Sequence, residues 1–338
     1  MIEATDDTHR QTQPGDIAGR RSFLQLAGAA LVLPIGATAT QLASSPAMQT
    51  PAADAGSREE FAVRYCLNTS TINGEQLAVP DQIKIAAEAG YQGIELWLRD
   101  VDRFLESGGA VADLRRLLSD RGLTLESAIA FAPWIVDDET HRRQGLQQAE
   151  REMELVCALG GQRIAAPPAG ATQGGKLNLD HAAERYAALL ETGRRVGCRP
   201  MLEVWGFSEN LSRLCEVLYV CAASGDPDAC VLPDVYHLYK GGSNFSELGL
   251  LSGSRVPVFH MNDYPSTPPR QSIGDADRVY PTEGVAPLKE ILSTLRETGF
   301  RGVLSLELFN RTYWARDPRE VAKTGLSKMQ QAVALVEA

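Results

Sequence analysis

The stretch EAGYQGIELWL at residues 88–98 contains the unit from which the fold is predicted, the end of a helix followed by the start of a strand. Apolar residues at helical spacing occupy 81–89, directly after Pro80, whose missing N–H costs least at a helix start. Gly90 supplies the left-handed residue that closes such a helix. The apolar run GIELWL at 93–98 is typical of a buried parallel strand. The stretch therefore predicts a helix followed by a strand.

The same unit of helix, glycine and strand recurs along the chain. Glycine-containing helix stops precede strands in RGLTLES (121–127), LGGQRIA (159–165), VGCRPML (196–202) and TGFRGVLSL (298–306). Strand-like runs alternate with helical segments at 62–68, 93–98, 124–131, 162–168, 199–205, 229–235, 256–262 and 302–309. Eight such runs predict an α/β fold, a (β/α)8 TIM barrel over residues 61–338. An open doubly wound sheet is the alternative, but NTSTING at 68–74 lacks the GxGxxG order.

The residues before the barrel have the organisation of an export signal. Arg20 and Arg21 precede the moderately apolar run LQLAGAALVLPIGATATQLA at 24–43. This order resembles a twin-arginine signal, and it predicts a signal peptide with its cleavage region over 1–47 and a linker over 48–60. A membrane anchor is the weaker alternative, because the apolar run is interrupted and short. We expect export to the periplasm by the twin-arginine translocation machinery, without stable membrane insertion after cleavage.

Charge and cysteine content restrict the partners and the chemistry. The chain of 338 residues has 33 basic and 43 acidic side chains, a net charge of −10, which argues against nucleic acid as a partner. Its six cysteines show no CxxC spacing, so a thiolate zinc site is not expected. In an oxidising compartment the first pair to test for a disulfide is Cys198 with Cys230, which precede consecutive strands, while free buried thiols are the alternative.

Ionisable residues stand at the carboxyl ends of the last four predicted strands, where barrels of this type place catalytic groups. These residues are Glu203, Asp234, His260 and Glu307, each embedded in apolar sequence. One buried carboxylate is usually structural, but several facing one another repel unless a cation lies among them. The pattern predicts a divalent metal site with mainly oxygen ligands and one imidazole. Mn²⁺ is our first expectation, with Mg²⁺, Co²⁺, Fe²⁺ and Zn²⁺ as alternatives.

Several segments, in this order and at this spacing, resemble those of xylose isomerase-like TIM barrels of the sugar phosphate isomerase and epimerase superfamily. The matching segments are NTSTI (68–72), EAGYQGIELW (88–97), LEVW (202–205), DVYHLYKGG (234–242), HMND (260–263), RVYPTEG (278–284), LSLELFNRTYW (304–314) and DPREVAKTGL (317–326). The superfamily includes inosose dehydratase, ketose 3-epimerase and dehydroshikimate dehydratase. The resemblance spans residues 61–336.

The resemblance implies a role for individual residues. It implies four metal ligands, Glu203, Asp234, His260 and Glu307. In related epimerases the residues that match Glu203 and Glu307 also act as acid and base on opposite faces of the substrate. His237 and Arg278 match residues that contact substrate oxygens. Relatives are often dimers or tetramers, so a homodimer and a homotetramer are both open.

Further side chains near these strand ends are candidates for substrate contact. Trp97 and Trp205 are expected to form a wall for sugar stacking, with core packing as the alternative. Lys240 is expected to reach the substrate from a loop, with simple solvation as the alternative. Asn262 and Asp263 are expected to orient His260 through its second ring nitrogen. The long segment 264–280 is predicted to be an active-site loop that places an arginine over the pocket.

These residues predict a divalent-metal-dependent isomerase, epimerase or lyase for a neutral keto-sugar or cyclic polyol. Removal of a proton next to a carbonyl gives an enediolate, which a metal stabilises, and two carboxylates can take and return protons. Loss of a β-oxygen from the same intermediate, as in a 3-keto-glycoside, is the alternative reaction. An endonuclease for abasic DNA is a weaker rival, because only five histidines are present. A non-catalytic carbohydrate-binding barrel is the other rival.

Overall fold

The computed structural model describes residues 61–73 and 77–337, so the predicted signal at 1–47 and linker at 48–60 lie outside the described residues. The strands are β1 (Arg64–Asn68), β2 (Gly93–Trp97), β3 (Thr124–Ile129), β4 (Arg163–Ala166), β5 (Arg199–Glu203), β6 (Val231–Leu232), β7 (Val258–Met261) and β8 (Val303–Leu306). Each lies within a predicted strand-like run. The predicted (β/α)8 barrel is therefore confirmed, and most strands are shorter than the apolar runs that predicted them.

The eight strands form a closed ring of parallel strands. Hydrogen bonds join them in the orders β3-β2-β1-β8-β7 and β4-β5-β6. The gap between β6 and β7 is crossed by a parallel bridge between Asp234 and His260, and Cα atoms of β3 and β4 lie within 8 Å. The registers place Asn68 opposite Glu95 and His260 opposite Ser305. Side chains from distant parts of the sequence therefore share one layer of the barrel.

Helices surround this ring. They are α1 (Val79–Ala89), α2 (Leu98–Glu106), α3 (Val111–Asp120), α4 (Glu139–Leu159), α5 (Leu179–Val196), α6 (Leu214–Ala223), α7 (Val235–Gly241), α8 (Leu288–Glu297), α9 (Arg311–Trp314) and α10 (Pro318–Glu337). Helix α1 begins two residues earlier than predicted, with Pro80 inside its first turn, and it ends at Gly90 with φ 96° as predicted. None of the described helices has the length and apolar character needed to cross a membrane.

The interior of the barrel is apolar below its carboxyl end. A cluster of buried residues takes a side chain from each strand or from the residue beside it, including Met201, Leu232 and Val258. Glu203, Asp234 and His260 follow these three residues by two positions, so they extend from the same side of their strands. The apolar layer therefore forms a floor that keeps water away from the polar groups above it.

Strand β6 is shorter than its apolar run because Asp234 begins a helix. Its Oδ1 accepts a hydrogen bond of 2.7 Å from the backbone N–H of His237 and so caps α7. The six cysteines are all free thiols, which agrees with the expectation of free thiols. Cys198 and Cys230, the first pair to test for a disulfide, are not joined, and the Cys230 thiol donates to the backbone carbonyl of Pro200.

Candidate active site

Three of the four predicted metal ligands meet at the carboxyl end of the barrel. Asp234, His260 and Glu307 each offer a ligand atom, and these atoms lie within 4.8 Å of one another. The Nδ1 atom of His260 is 3.3 Å from Glu307 Oε2 and 3.8 Å from Asp234 Oδ2. All three side chains are buried. The arrangement places two carboxylates and one imidazole nitrogen around one point in space.

The fourth predicted ligand, Glu203, lies beside this group and not within it. It ends β5, is buried, and lines the same cavity as Glu307. Burial raises the pKa of Glu203 to about 8, with the negative charge of Glu307 adding to the effect and the His260 ring opposing it. Burial therefore favours the protonated form of Glu203 in the protein alone.

Glu307 has the opposite protonation state. Burial alone would raise its pKa, but the His260 ring and the Arg278 guanidinium hold the pKa of Glu307 well below its usual range. Asn68 also donates to Glu307 Oε1 at 3.0 Å. The pKa values of the two glutamates in this cavity are thus shifted in opposite directions, which suits separate acid and base roles.

His260 is oriented from across the barrel by Glu95. Its Nε2–H donates to Glu95 Oε2 at 3.0 Å, and Glu95 also accepts from the hydroxyl of Ser305. Strand β2 carries Glu95 and is separated from β7 by two strands, so the contact crosses the interior. The hydrogen bond orients the ring so that Nδ1 faces Asp234 and Glu307. Burial opposes a charge on His260, but the carboxylates of Glu307 and Glu95 raise its pKa in the protein alone.

The predicted orienting residues, Asn262 and Asp263, have other partners. Asn262 Nδ2 donates to Asp234 Oδ2 at 2.8 Å. Asp263 accepts from the backbone N–H groups of four residues, Tyr264, Thr282, Gly284 and Ala286. The physical reason is that His260 Nε2 faces Glu95 across the barrel, whereas Asn262 and Asp263 bond to groups on other elements. The prediction is corrected accordingly: Glu95 orients the ring.

The donors present fit a divalent cation. His260 Nδ1 is buried and has no hydrogen-bond partner, although two carboxylates face it. A buried nitrogen without a partner is costly unless a ligand satisfies it. One imidazole nitrogen with two carboxylates, and a third carboxylate in Glu203 nearby, is a usual donor set for Mn²⁺, Fe²⁺, Co²⁺ or Zn²⁺. Coordination by these residues stays a prediction that the geometry supports.

Arg278 and His237 lie together against the carboxylates, as the prediction of a joint substrate site requires. Arg278 Nη1 donates to Asp234 Oδ2 at 3.0 Å and to Glu307 Oε2 at 2.8 Å. Its Nη2 donates to Asp275 Oδ1 at 2.6 Å and to His237 Nε2 at 3.1 Å. Burial, with Arg278 adding to it, lowers the pKa of His237. His237 is therefore a neutral imidazole in this site.

A cavity of about 180 Å³ opens above the cluster. Its polar wall contains Glu203, His237, Asp275, Arg278 and Glu307. Its aromatic wall contains Trp97, Phe131, Trp205, Phe207 and Phe309, so both predicted tryptophans line it. A larger cavity of about 370 Å³ lies beside α5 and the start of β5, away from these residues, and its three arginines are already paired with carboxylates. The smaller cavity is the candidate active site.

Lys240 is placed differently from its predicted role. Its ammonium donates to the carbonyl groups of Arg270, Gln271 and Ile273 at 3.2, 3.0 and 2.8 Å. It is not among the residues that line the cavity. These bonds hold the segment 264–280, which carries Arg278, against α7. The structure therefore assigns Lys240 to the support of the predicted active-site loop.

Two residues of the site have roles that the sequence analysis did not predict. Glu95 was not expected to orient His260, although a charged residue within the apolar run GIELWL is a signal for a buried polar partner. Asn68 accepts from the Trp97 indole at 2.8 Å and donates to Glu307, so it links the aromatic and acidic walls. An asparagine at a strand end gives no sequence signal of this kind.

Known proteins with similar sequences include a family of TIM barrels, which agrees with the barrel fold described above. A family model described as Xylose isomerase-like TIM barrel matches residues 83–332. An inosose isomerase of Bacillus velezensis is 26% identical over 280 residues, which cover 80% of this chain and 97% of that protein. A 3-dehydroshikimate dehydratase of Pseudomonas aeruginosa is 26% identical over 74% of this chain and 39% of its own length.

Solved structures show the same fold. A crystal structure described as the IOLI protein with a binding zinc atom superposes with a TM-score of 0.74 at 21% identity, over 80% of this chain and 98% of that one. The similarity to named isomerase and dehydratase proteins confirms the prediction of an enzyme of the sugar isomerase and epimerase type. The match of the family model covers most of the described residues. The chain therefore belongs to the family of xylose isomerase-like TIM barrels.

Proposed function

We propose that this enzyme moves a proton next to the carbonyl of a neutral keto-sugar or cyclic polyol, in an isomerisation or epimerisation that depends on a divalent metal. The observation that carries the proposal is that Glu203 and Glu307 line one cavity directly beside the cluster of Asp234, His260 and Glu307. Two such carboxyl groups can act as general base and general acid, and so remove a proton from the substrate and return one to it.

Asp234, His260 and Glu307 would hold the metal, with Glu203 as the fourth ligand that the sequence predicts. A bound divalent cation would stabilise the negative charge that develops on the substrate oxygens during proton removal. Mn²⁺ remains our first expectation. The zinc named for the similar IOLI structure supports a divalent ion and makes Zn²⁺ the alternative to compare first.

The chain's own residues divide the proton transfers between them. Glu307 and Glu203 line the same cavity, so one carboxylate accepts the proton from the carbon next to the carbonyl and the other, once protonated, returns a proton from its own side of the substrate. His237 Nδ1 and Arg278 Nε are buried polar atoms without a partner, so each residue retains capacity to hydrogen-bond a substrate oxygen. The apolar floor and the aromatic wall exclude water, which strengthens each of these contacts.

Elimination is the second candidate reaction at this site. The protonated Glu203 can donate to a leaving oxygen, which converts the same proton abstraction into a dehydration or a cleavage of a 3-keto-glycoside. The similarity to a dehydratase supports this candidate. We further propose export to the periplasm on the basis of Arg20 and Arg21, and a neutral substrate suits that location.

The test of the proposed function is hydrogen exchange in D₂O. Keto-sugars, 3-keto-glycosides and inososes are incubated with the enzyme, and deuterium at the carbon next to the carbonyl is followed by NMR. We expect exchange with at least one of these compounds, loss of exchange after chelation, and recovery on addition of Mn²⁺ or Zn²⁺. Exchange that survives complete metal removal would contradict the proposed dependence on a metal. A product with a new double bond would assign elimination.

A further inference from the structure

The aromatic wall of the cavity is a continuous series of rings that leads outward from the cluster. Ring centroids are 5.8 Å apart between Phe309 and Trp97, 5.4 Å between Trp97 and Phe131, and 5.9 Å between Phe131 and Trp205. Phe207 continues the series at 5.1 Å from Trp205. These rings come from the ends of β8, β2, β3 and β5, so the series curves around the mouth of the cavity.

The rings of this series differ in exposure. Trp97 is 7% exposed, Phe309, Phe131 and Trp205 are partly exposed, and Phe207 at the outer end is 47% exposed. Phe207 also packs against the ring of His237, with centroids 5.7 Å apart, and so lies on both walls of the entrance. A half-exposed phenylalanine at the mouth of an enzyme cavity, continuous with buried rings, is a surface that a ligand would cover.

The charges of the cavity exclude one class of occupant for this outer region. Among the described residues that line the cavity, the carboxylates are Glu203, Asp275 and Glu307, and Arg278 is the arginine. Both terminal nitrogens of Arg278 already bond to acceptors within the site. Lys240 is held by backbone carbonyl groups. A phosphate or carboxylate at the mouth would find few donors among these residues, so an anionic occupant is disfavoured.

We propose that Trp205 and Phe207 form an outer subsite for an aromatic ring attached to the reacting sugar, so that the enzyme acts on an uncharged aryl glycoside. This inference rests on the proposed function of the inner site. The rings of the series are tilted against their neighbours by 45° between Phe131 and Trp205 and by 32° between Trp205 and Phe207. Tilted and edge contacts are the arrangement in which aromatic rings prefer to pack.

The inner and outer regions would then divide the substrate. The reacting sugar would occupy the polar wall, where Glu203 and Glu307 face it, and the aromatic ring would cover the exposed face of Phe207. An aromatic aglycone adds apolar contact without a charge, which matches the surface that the structure presents. A free monosaccharide would leave Phe207 exposed. The outer region therefore determines specificity for the aglycone and takes no part in proton transfer.

Binding of unreactive probes tests the subsite separately from the chemistry. Isothermal titration calorimetry of the metal-loaded enzyme compares 4-nitrophenyl β-D-glucoside, methyl β-D-glucoside and cellobiose, none of which contains the ketone that the reaction needs. We expect the aryl glucoside to bind about tenfold more tightly than the methyl glucoside. Phe207→Ala should remove this advantage, and Phe207→Tyr should retain it. Tyr219→Ala, which removes an exposed ring outside the cavity, is the matched control.

The outcomes separate this inference from the proposed function. Equal affinities for the aryl and methyl glucosides, or an advantage that survives in Phe207→Ala, would overturn the aromatic subsite. The same gain with cellobiose would show that the second ring is a sugar and would overturn the aryl assignment. Tyr219→Ala should leave hydrogen exchange on unsubstituted keto-sugars unchanged. Absence of exchange with every keto compound in the wild type would instead contradict the proposed function and leave the binding result in place.

Discussion

The two ends of the barrel bury glutamates in opposite ways. Near the amino-terminal end, the Glu126 carboxylate on β3 lies 2.7 Å from a guanidinium nitrogen of Arg64 and 3.4 Å from one of Arg163. These arginines are the first residues of β1 and β4, and both are partly exposed. At the carboxyl end, Glu307 shares one buried arginine, Arg278, with Asp234. Glu126 has cations of its own, whereas the carboxylates at the other end converge on one another.

This difference distinguishes a structural carboxylate from a functional one. Burial alone does not, because Glu126 and Glu307 are both buried. Asp263 is a further structural case, since four backbone N–H groups satisfy it. Carboxylates that face one another with an unpartnered His260 Nδ1 between them need an additional cation. We therefore expect metal binding and catalysis at the carboxyl end of the barrel, where the carboxylates of Asp234 and Glu307 share one arginine.

The largest expected effect comes from Glu307→Gln. Removal of the ionised base should lower the rate of hydrogen exchange by about 10²- to 10⁴-fold while the fold is retained. Rates are measured by NMR in D₂O, and the fold is checked by circular dichroism. The matched control is Glu126→Gln at the other end, which should change the exchange rate less than about twofold. Equal rates in Glu307→Gln and the wild type would refute the role of base.

A smaller effect is expected from Glu95, which reaches the cluster only through His260. Loss of its hydrogen bond in Glu95→Leu should weaken divalent metal binding by about 10- to 100-fold, because the ring is no longer held with Nδ1 free. Glu95→Gln keeps an acceptor without the charge and should lose less. Competition with a fluorescent chelator measures the affinities. Unchanged affinity in Glu95→Leu would mean that Glu95 does not orient the ligand.

The smallest expected effect on activity comes from Glu126→Gln, which should act on stability instead. Loss of the negative charge beside Arg64 and Arg163 should lower the free energy of unfolding by about 1–3 kcal/mol. Urea unfolding followed by circular dichroism gives this value. Metal affinity should stay as in the wild type. A Glu126→Gln variant that lost metal while keeping its stability would remove the distinction between the two ends.

The sequence predicted the ring of strands and the residues at their ends because both depend on local order. Apolar runs, glycine stops and a side-chain period of two are properties of neighbouring residues, and in a parallel barrel they place Asp234, His260 and Glu307 at one end. The separation of Glu203 from these three depends on the angles of individual side chains, which the spacing along the chain does not contain.

Contacts across the barrel could not be predicted in the same way. Glu95 and His260 are 165 positions apart, and their strands are not neighbours in the sheet. Asn262 and Asp263 were chosen because they lie close to His260 in the sequence, but the side chain of Asn262 bonds to Asp234 and that of Asp263 to backbone N–H groups. Lys240 was assigned to the substrate because its loop is near the site, while three loop carbonyl groups engage its ammonium.

Metal content shows directly whether the cluster of Asp234, His260 and Glu307 binds a divalent ion. Protein purified without chelator is analysed by inductively coupled plasma mass spectrometry, alongside Asp234→Asn from the cluster and Glu126→Gln from the other end. We expect about one divalent ion per chain in the wild type and in Glu126→Gln, and much less than one in Asp234→Asn. A wild-type protein that contains no divalent ion, and binds none when Mn²⁺ or Zn²⁺ is added, would contradict a metal site at the carboxyl end of the barrel.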